Sequence, residues 1–297
     1  MTVWELWEQF EYHLRVRRRA TNTLSFYRVG VKGLQDYLLK HAIPDEIGGL
    51  TVAHLRGYLV WLENQGLNLG GVHARGRTLK ALFNWGFREE LIERNPVTRL
   101  DLPCVDKFRL PSIEPSSVQA ALEVCRTGLL PLRDRALLMT MFDTGVRVSE
   151  LTGLRLSDLR LERGLIRVLG KGNKERFVPV GTRAALALTG YIRRERKPFM
   201  AAFDQLFLGR SGKPLTRSGV SQRLADIATE LSQPVSQFAP HSFRRGFAVQ
   251  FLRNGSSVFE LQQILGHTSL EMTRRYVNFL DEDLKAAHLR SSPGDRL

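Results

Sequence analysis

Between Leu100 and Pro115 the helical periodicity that runs through most of this chain lapses. Pro103, Pro111 and Pro115 punctuate the gap, and Lys107 and Arg109 lie within it. Each proline fixes its own φ and pushes the residue before it toward extended backbone. A segment with three of them reads as an extended interdomain linker. The 297 residues suit about two domains at roughly 150 residues each. The expected division is therefore residues 1–100, a linker over 101–115, and a second domain over 116–297.

The first part reads as four helices. Val3, Trp7, Phe10 and Leu14 share one stripe, and Tyr27, Val31, Leu34 and Leu38 share a second, with Thr23 or Asn22 as its cap. Val52, Leu55, Leu59 and Leu62 mark a third helix, stopped near Gly66. Leu79, Leu82, Phe83 and Phe87 mark a fourth, ending before Asn95-Pro96. Four such helices make a small bundle, and the stripes are most simply its core. The second part is also mostly helical, with one β signal. Leu165–Leu169 and Arg176–Val180 flank Gly170-Lys171-Gly172-Asn173-Lys174, the pattern of a hairpin. Helical patterns resume near Thr182–Arg196, Ser218–Leu231 and Ser242–Arg253. The fold class expected is mainly α with a small β-hairpin in the second domain.

Composition narrows the function. The chain carries 44 Lys and Arg against 30 Asp and Glu, a net charge of +14. The excess is +3 over residues 1–105 and +11 over residues 106–297. A basic surface of this size most often meets phosphate backbones, and the second part is the stronger candidate. A basic linker between basic domains could close around a duplex, or be an ordinary solvated connection. Cys104 and Cys125 are too few for a disulfide framework or a zinc cluster. Apolar runs of only a few residues exclude a membrane-spanning helix. Glu5, Glu8 and Glu11 precede any basic residue, the reverse of a signal peptide. The expectation is a soluble cytoplasmic protein.

Several residues have the character of a chemical site. His241 and Arg244 are three apart, on one face if helical, and together can donate to one phosphate. Alone, such a pair is usually a solvated helix face. Ser257 and Glu260 form a capping box that opens a helix through Leu261, Ile264 and Leu265, with Gly266 as its stop. Thr268 and Glu271 form a second box. His267 falls on the turn between them, beside the positive end of the second helix. Tyr276 follows Arg274-Arg275, where an amphipathic surface residue is the ordinary reading. Gly145 suggests a turn, with Ser149–Leu159 helical and Leu151, Leu154 and Leu159 inward. Arg147 then sits at the turn and points into a site.

Taken in order, Thr144-Gly145-Val146-Arg147-Val148-Ser149-Glu150-Leu151, Gly170-Lys171-Gly172-Asn173-Lys174-Glu175, His241-x-x-Arg244, Leu265-Gly266-His267 and Tyr276 resemble the tyrosine recombinases, also called the phage integrase family. The likeness is closest to the Xer-type members and covers residues about 1–290. It implies a two-domain, C-shaped DNA clamp, with a helical core-binding domain followed by a tyrosine recombinase catalytic domain. It implies that Arg147 and Arg244 brace the scissile phosphate, and that His241 is a third phosphate ligand and acid/base helper. Lys171 matches the general acid for the leaving 5′-oxygen, with Lys174 a lesser candidate. His267 matches the second histidine, which holds the phosphate and the tyrosine in place. Tyr276 matches the nucleophile, and Glu150 an acidic position that supports the site. One departure is Arg245, where the family often has histidine, a position outside the catalytic set.

The chemistry wants these groups. Cutting a phosphodiester without a metal needs a nucleophile, cations around the five-coordinate phosphate, and a proton for the leaving oxygen. The chain has no G-x-x-x-x-G-K-[ST] loop and no H-E-x-x-H or other paired metal spacing, so neither ATP nor a metal cofactor is expected. The expected activity is site-specific recombination through a 3′-phosphotyrosine and a Holliday junction. The expected partners are a double-stranded DNA recombination site and three further protomers in a homotetramer. A type IB topoisomerase shares the tyrosine chemistry, but the Leu265-Gly266-His267 box and the compact first domain favour a recombinase. A DNA-binding protein with a dead site would lack a catalytic group, and none is lacking. After Tyr276, Leu280, Leu284 and Ala287 repeat at helical spacing behind Asp281, Glu282 and Asp283, suggesting a short tail helix that docks on a neighbouring protomer.

Overall fold

The computed structural model describes residues 1–104, 111–170 and 174–277, together with residues 288, 292 and 295. Lys171, residues 105–110 of the linker and the expected tail helix lie outside the described residues. The chain divides into two compact units, Met1–Phe108 and Arg109–Leu297.

The first unit is built on four helices, α1 (Val3–Val16), α2 (Thr21–Lys40), α3 (Val52–Asn64) and α4 (Leu69–Arg88). Their starts are set by short polar side chains that satisfy free N–H groups. Thr2 and Glu5 form a reciprocal capping box on α1. Thr51 accepts from the His54 N–H on α3, and Asn68 accepts from the Gly71 N–H on α4. The exception is α2. It begins at Thr21 behind Ala20, with no side-chain cap, rather than behind Asn22 or Thr23. Those two residues lie in its first turn, so burial of Val31, Leu34 and Leu38 carries this helix and no cap is needed. The four stripes meet in one core around Trp7, Leu34, Leu55, Tyr58, Leu79 and Phe83. Phe87 is a correction: it is 49% exposed, because the buried face of α4 runs through Leu79, Leu82, Phe83 and Gly86 and turns away from position 87.

The second unit packs helices around α6 (Pro131–Thr144). On α6, Ala136, Leu137, Leu138 and Met141 are all buried, which requires neighbours on several sides. They are α5 (Pro115–Arg126), α8 (Thr182–Arg194) and α10 (Pro240–Arg253). A three-stranded antiparallel sheet, in the order β1 (Leu159–Arg160), β2 (Leu165–Leu169) and β3 (Glu175–Pro179), presents Ile166, Val168 and Val178 to the core. Its register pairs Val168 with Arg176 and Leu169 with Glu175. Thus β3 starts one residue before the expected Arg176. The remaining helices are α7 (Val148–Gly153), α9 (Arg217–Glu230), α11 (Val258–Leu265) and α12 (Leu270–Val277).

The expected helix over Ser149–Leu159 is not continuous. It stops at Gly153, makes a 3-10 turn over Leu156–Asp158 and enters β1 at Leu159. Two observations explain the break. The Arg155 N–H is taken by the Asp158 carboxylate at 2.9 Å. The segment also bonds along residues 204–206, with the Leu156 N–H on the Asp204 carbonyl at 3.0 Å and the Leu206 N–H on the Leu154 carbonyl at 2.7 Å. Leu151 and Leu154 are inward as expected, while Leu159 is half-buried. Similarly, α12 opens at Leu270 rather than directly behind Thr268, whose hydroxyl lies 4.0 Å from Met272 Sδ.

Candidate active site

The site begins where α6 ends. Gly145 closes that helix with φ +58, and a Cβ there would run into the Phe247 ring. Only glycine meets both conditions without strain. The turn presents the Gly145 carbonyl on one side and delivers Arg147 to the start of α7 on the other. The Arg147 N–H donates to Glu150 Oε2 at 2.8 Å and its Nη1 donates to Glu150 Oε1 at 2.9 Å. The Arg147 side chain keeps 31% exposure, so its guanidinium remains reachable.

The Glu150 side chain is only 2% exposed and accepts a second fork, Arg176 Nη1 and Nη2, each at 2.9 Å. Burial alone would raise the Glu150 carboxyl. The bonds from Arg176 and Arg147 outweigh it and hold the group below its ordinary range. Arg176 also donates through Nε to the Ile264 carbonyl at 2.9 Å, so β3 is tied to the end of α11. Gly266 then stops α11 with φ +62, and any Cβ there would sit 3.1 Å from the Arg176 side chain.

Arg244 rises from the first turns of α10 and is 4% exposed. Its Nη1 donates to the Gly145 carbonyl at 2.7 Å, and its Nη2 donates to the Leu265 carbonyl at 2.9 Å. Nη2 also lies 2.9 Å from His267 Nε2. Among the described residues no carboxylate pairs with Arg244. Burial, and then the charge of Arg147, lower its pKa to about 10, which leaves it cationic at neutral pH. His267 is half-buried. Burial and the charges of Arg244, Arg147 and Arg176 lower it to about 4, so it is neutral at pH 7. Its ring stacks on Tyr276 with centroids 6.1 Å apart and planes 13° apart. Tyr276 in turn packs on the small cluster of Phe247, Ala248, Leu252, Leu261 and Leu265.

His241 is exposed in the first turn of α10. Partial desolvation and the charges of Arg245, Arg244 and Arg147 lower its pKa. Arg245 is held by Nε on the Pro111 carbonyl at 2.8 Å and Nη2 on Ser242 Oγ at 3.0 Å. Lys171 lies outside the described residues. On either side of it, the Gly170 N–H donates to the Lys174 carbonyl at 2.8 Å. Lys174 is exposed.

Direct contacts thus join Arg244 to His267 and His267 to Tyr276, Arg147 acts on both Arg244 and His267 through its charge, and His241 feels the charges of Arg244 and Arg147. Two residues escaped the sequence reading. Arg176 carried a signal, since it stands between Val178 and the expected turn on the strand face that also bears buried Val168. A charge on a core face needs a buried partner. Thr273 is fully buried, with Oγ1 2.9 Å from His267 Nδ1, and nothing local marked it.

The pattern of the Phage integrase family matches residues 111–283, and that of the Phage integrase SAM-like domain matches residues 5–102. The chain is 33% identical over 297 residues to tyrosine recombinase XerC of Listeria welshimeri, spanning 97% of this chain and 98% of the relative. It is 32% identical over 278 residues to tyrosine recombinase XerD of Proteus mirabilis, spanning 92% of this chain and 88% of the relative. The fold is similar to the Tn1549 transposon integrase in complex with transposon right end DNA, with TM-score 0.76 and 22% identity over 98% of this chain and 99% of that one. It is also similar to XerH site-specific recombinase bound to palindromic difH substrate, with TM-score 0.73 and 23% identity over 92% and 81%. Matched along nearly its whole length by these patterns and relatives, the chain belongs to the phage integrase family as a site-specific tyrosine recombinase of the Xer type.

Proposed function

We propose that this recombinase binds a double-stranded DNA site and exchanges strands through a covalent 3′-phosphotyrosine and a Holliday junction, as a homotetramer in the cytoplasm, without metal or ATP. The observation that carries the reading is Arg244. Among the described residues, this buried guanidinium is held by two carbonyls and a neutral imidazole, with no carboxylate in direct contact. Such a charge is costly until an anion arrives. A phosphodiester supplies one negative charge with two free oxygens, which suits the Arg244 and Arg147 forks.

In this reading the Tyr276 hydroxyl gives its proton to His241, its oxygen attacks the phosphorus, and the bond to the 5′-oxygen breaks. Arg147, Arg244 and His241 carry the charge that builds on the equatorial oxygens. Lys171 gives the leaving 5′-oxygen its proton. His267 holds the phosphate and the tyrosine, and Glu150 orients Arg147. The phosphotyrosine bond keeps the energy of the broken one. A 5′-hydroxyl from the partner strand can therefore reverse the step, release Tyr276 and seal the exchanged strand. Residues 1–100 act as the core-binding domain, 101–115 as a linker and 116–297 as the catalytic domain.

The test is a nicked suicide duplex. The protein should become linked to a DNA 3′-phosphate, and Tyr276→Phe should bind the duplex and trap nothing. Trapping that persists in Tyr276→Phe refutes the nucleophile assignment.

A further inference from the structure

His267 has a fixed proton arrangement that its neighbours dictate. A guanidinium only donates, so the 2.9 Å contact of Arg244 Nη2 with His267 Nε2 requires a lone pair on Nε2. The neutral ring then carries its one hydrogen on Nδ1. Nδ1 lies 2.9 Å from Thr273 Oγ1, a hydroxyl that can accept it. Thr273 is fully buried, so no water competes for this bond. Thr273 also precedes Tyr276 by three residues on α12, which places both side chains on one face. The His267 ring touches both, Thr273 through Nδ1 and Tyr276 through the stacked face.

We infer that, in the DNA-free protein, Thr273 is a positioning residue that holds the His267 hydrogen on Nδ1, keeps Nε2 turned to Arg244 as an acceptor, and ties both to the helix that carries Tyr276. When a phosphate arrives, Nε2 gains a proton and donates to it while the Nδ1 hydrogen stays on Thr273. The opposite tautomer would set an Nε2–H against the Arg244 N–H, two donors face to face in a buried site. Arg244 would then lose one of its three holds, and its fork would no longer be aimed. The orientation of a phosphate-bracing arginine is thus set by a threonine that does not itself meet the phosphate. The inference rests on the proposed roles of Arg244 and Tyr276, but its primary test does not.

That test is nitrogen-15 NMR of protein labelled at its 7 histidines, at pH 7, with His267→Gln used to assign the His267 signals. In the unaltered protein Nδ1 should show the protonated shift and Nε2 the lone-pair shift. Thr273→Val keeps the shape and removes the acceptor, and should move the two shifts toward each other or exchange them. Thr273→Ser should keep the original pattern. In single-turnover cleavage of the suicide duplex at saturating protein, Thr273→Val should be slower by about 3- to 10-fold, the worth of one hydrogen bond. DNA affinity should be unchanged, and Thr273→Ser should restore the rate. An unchanged nitrogen pattern in Thr273→Val overturns the inference. So does an equal rate loss in Thr273→Ser, which would mean that packing and not the hydroxyl matters. Trapping by Tyr276→Phe would instead overturn the proposed nucleophile and leave the nitrogen result standing, so the two failures are distinct.

Discussion

Replacing Arg176 with methionine leaves a carboxylate stranded. The methionine stem fills much of the same space, but the Glu150 side chain, at 2% exposure, loses both bonds of the Arg176 fork. It keeps only the Arg147 N–H and Nη1. The Ile264 carbonyl loses its side-chain donor as well. Removing one partner of a buried ion pair costs about 3–5 kcal/mol, and the retained Arg147 argues for the lower end, about 3 kcal/mol. For a unit of this size that is a fall in Tm of roughly 6–12 °C. The four tryptophans, Trp4, Trp7, Trp61 and Trp85, all belong to the first unit. Urea unfolding followed by tryptophan fluorescence should therefore be unchanged, while far-ultraviolet circular dichroism should show an earlier transition. Adding Glu150→Gln to Arg176→Met removes the stranded charge and should recover part of the loss. The sign with pH also follows. The folded carboxyl is held low, so its stabilisation is present above its unfolded value and disappears as pH falls through the folded one. The gap between the proteins should be full at pH 7 and narrow in acid. A loss below about 1 kcal/mol, small beside what a stranded buried charge costs, would refute the reasoning. So would a double variant no more stable than Arg176→Met.

Lys171→Ala should cleave an ordinary 5′-oxygen poorly but a 5′-bridging phosphorothiolate nearly as before, since sulfur leaves without a proton. Equal losses on both substrates would remove Lys171 from the general-acid role. The His267 imidazole is lowered from 6.5 to about 4, so the unfolded chain binds a proton in that window and the folded one does not. Stability should fall as pH drops from about 6.5 toward 4. His267→Gln should flatten that slope in denaturation series, and an unaltered slope would contradict it. Deleting residues 280–297 should leave binding of one protomer to one half-site intact while impairing synapsis and strand exchange in gel-shift and recombination assays. A truncated protein that forms tetramers and recombines at the full rate would end the trans-docking expectation.

Much of the chain was legible because its signals are local. A stripe such as Val3, Trp7, Phe10 and Leu14 needs only the helical period to declare a buried face, and all four are buried. The box of Ser257 and Glu260 and the left-handed stop at Gly266 involve neighbours within one turn, and both stand where the sequence put them. Errors came where a distant strand or loop competed for the backbone. Leu151, Leu154 and Leu159 offered a helical pattern, but the peptide groups of Leu154 and Leu156 found partners at Leu206 and Asp204. Propensity is weak against such a fixed external partner.

The sequence by itself determined the family and which short elements display the candidate site residues. Gly145 had to be a turn, Arg147 had to follow it, and His241 and Arg244 had to share a helix face. The tertiary structure alone decided what those residues touch. Arg244 meets a carbonyl 99 positions away and an imidazole 23 positions away, and Glu150 meets Arg176 across 26 positions. Periodicity reports only which way a side chain faces within its own element. A hydrogen bond between elements depends on how those elements pack, and packing is settled by the whole core together.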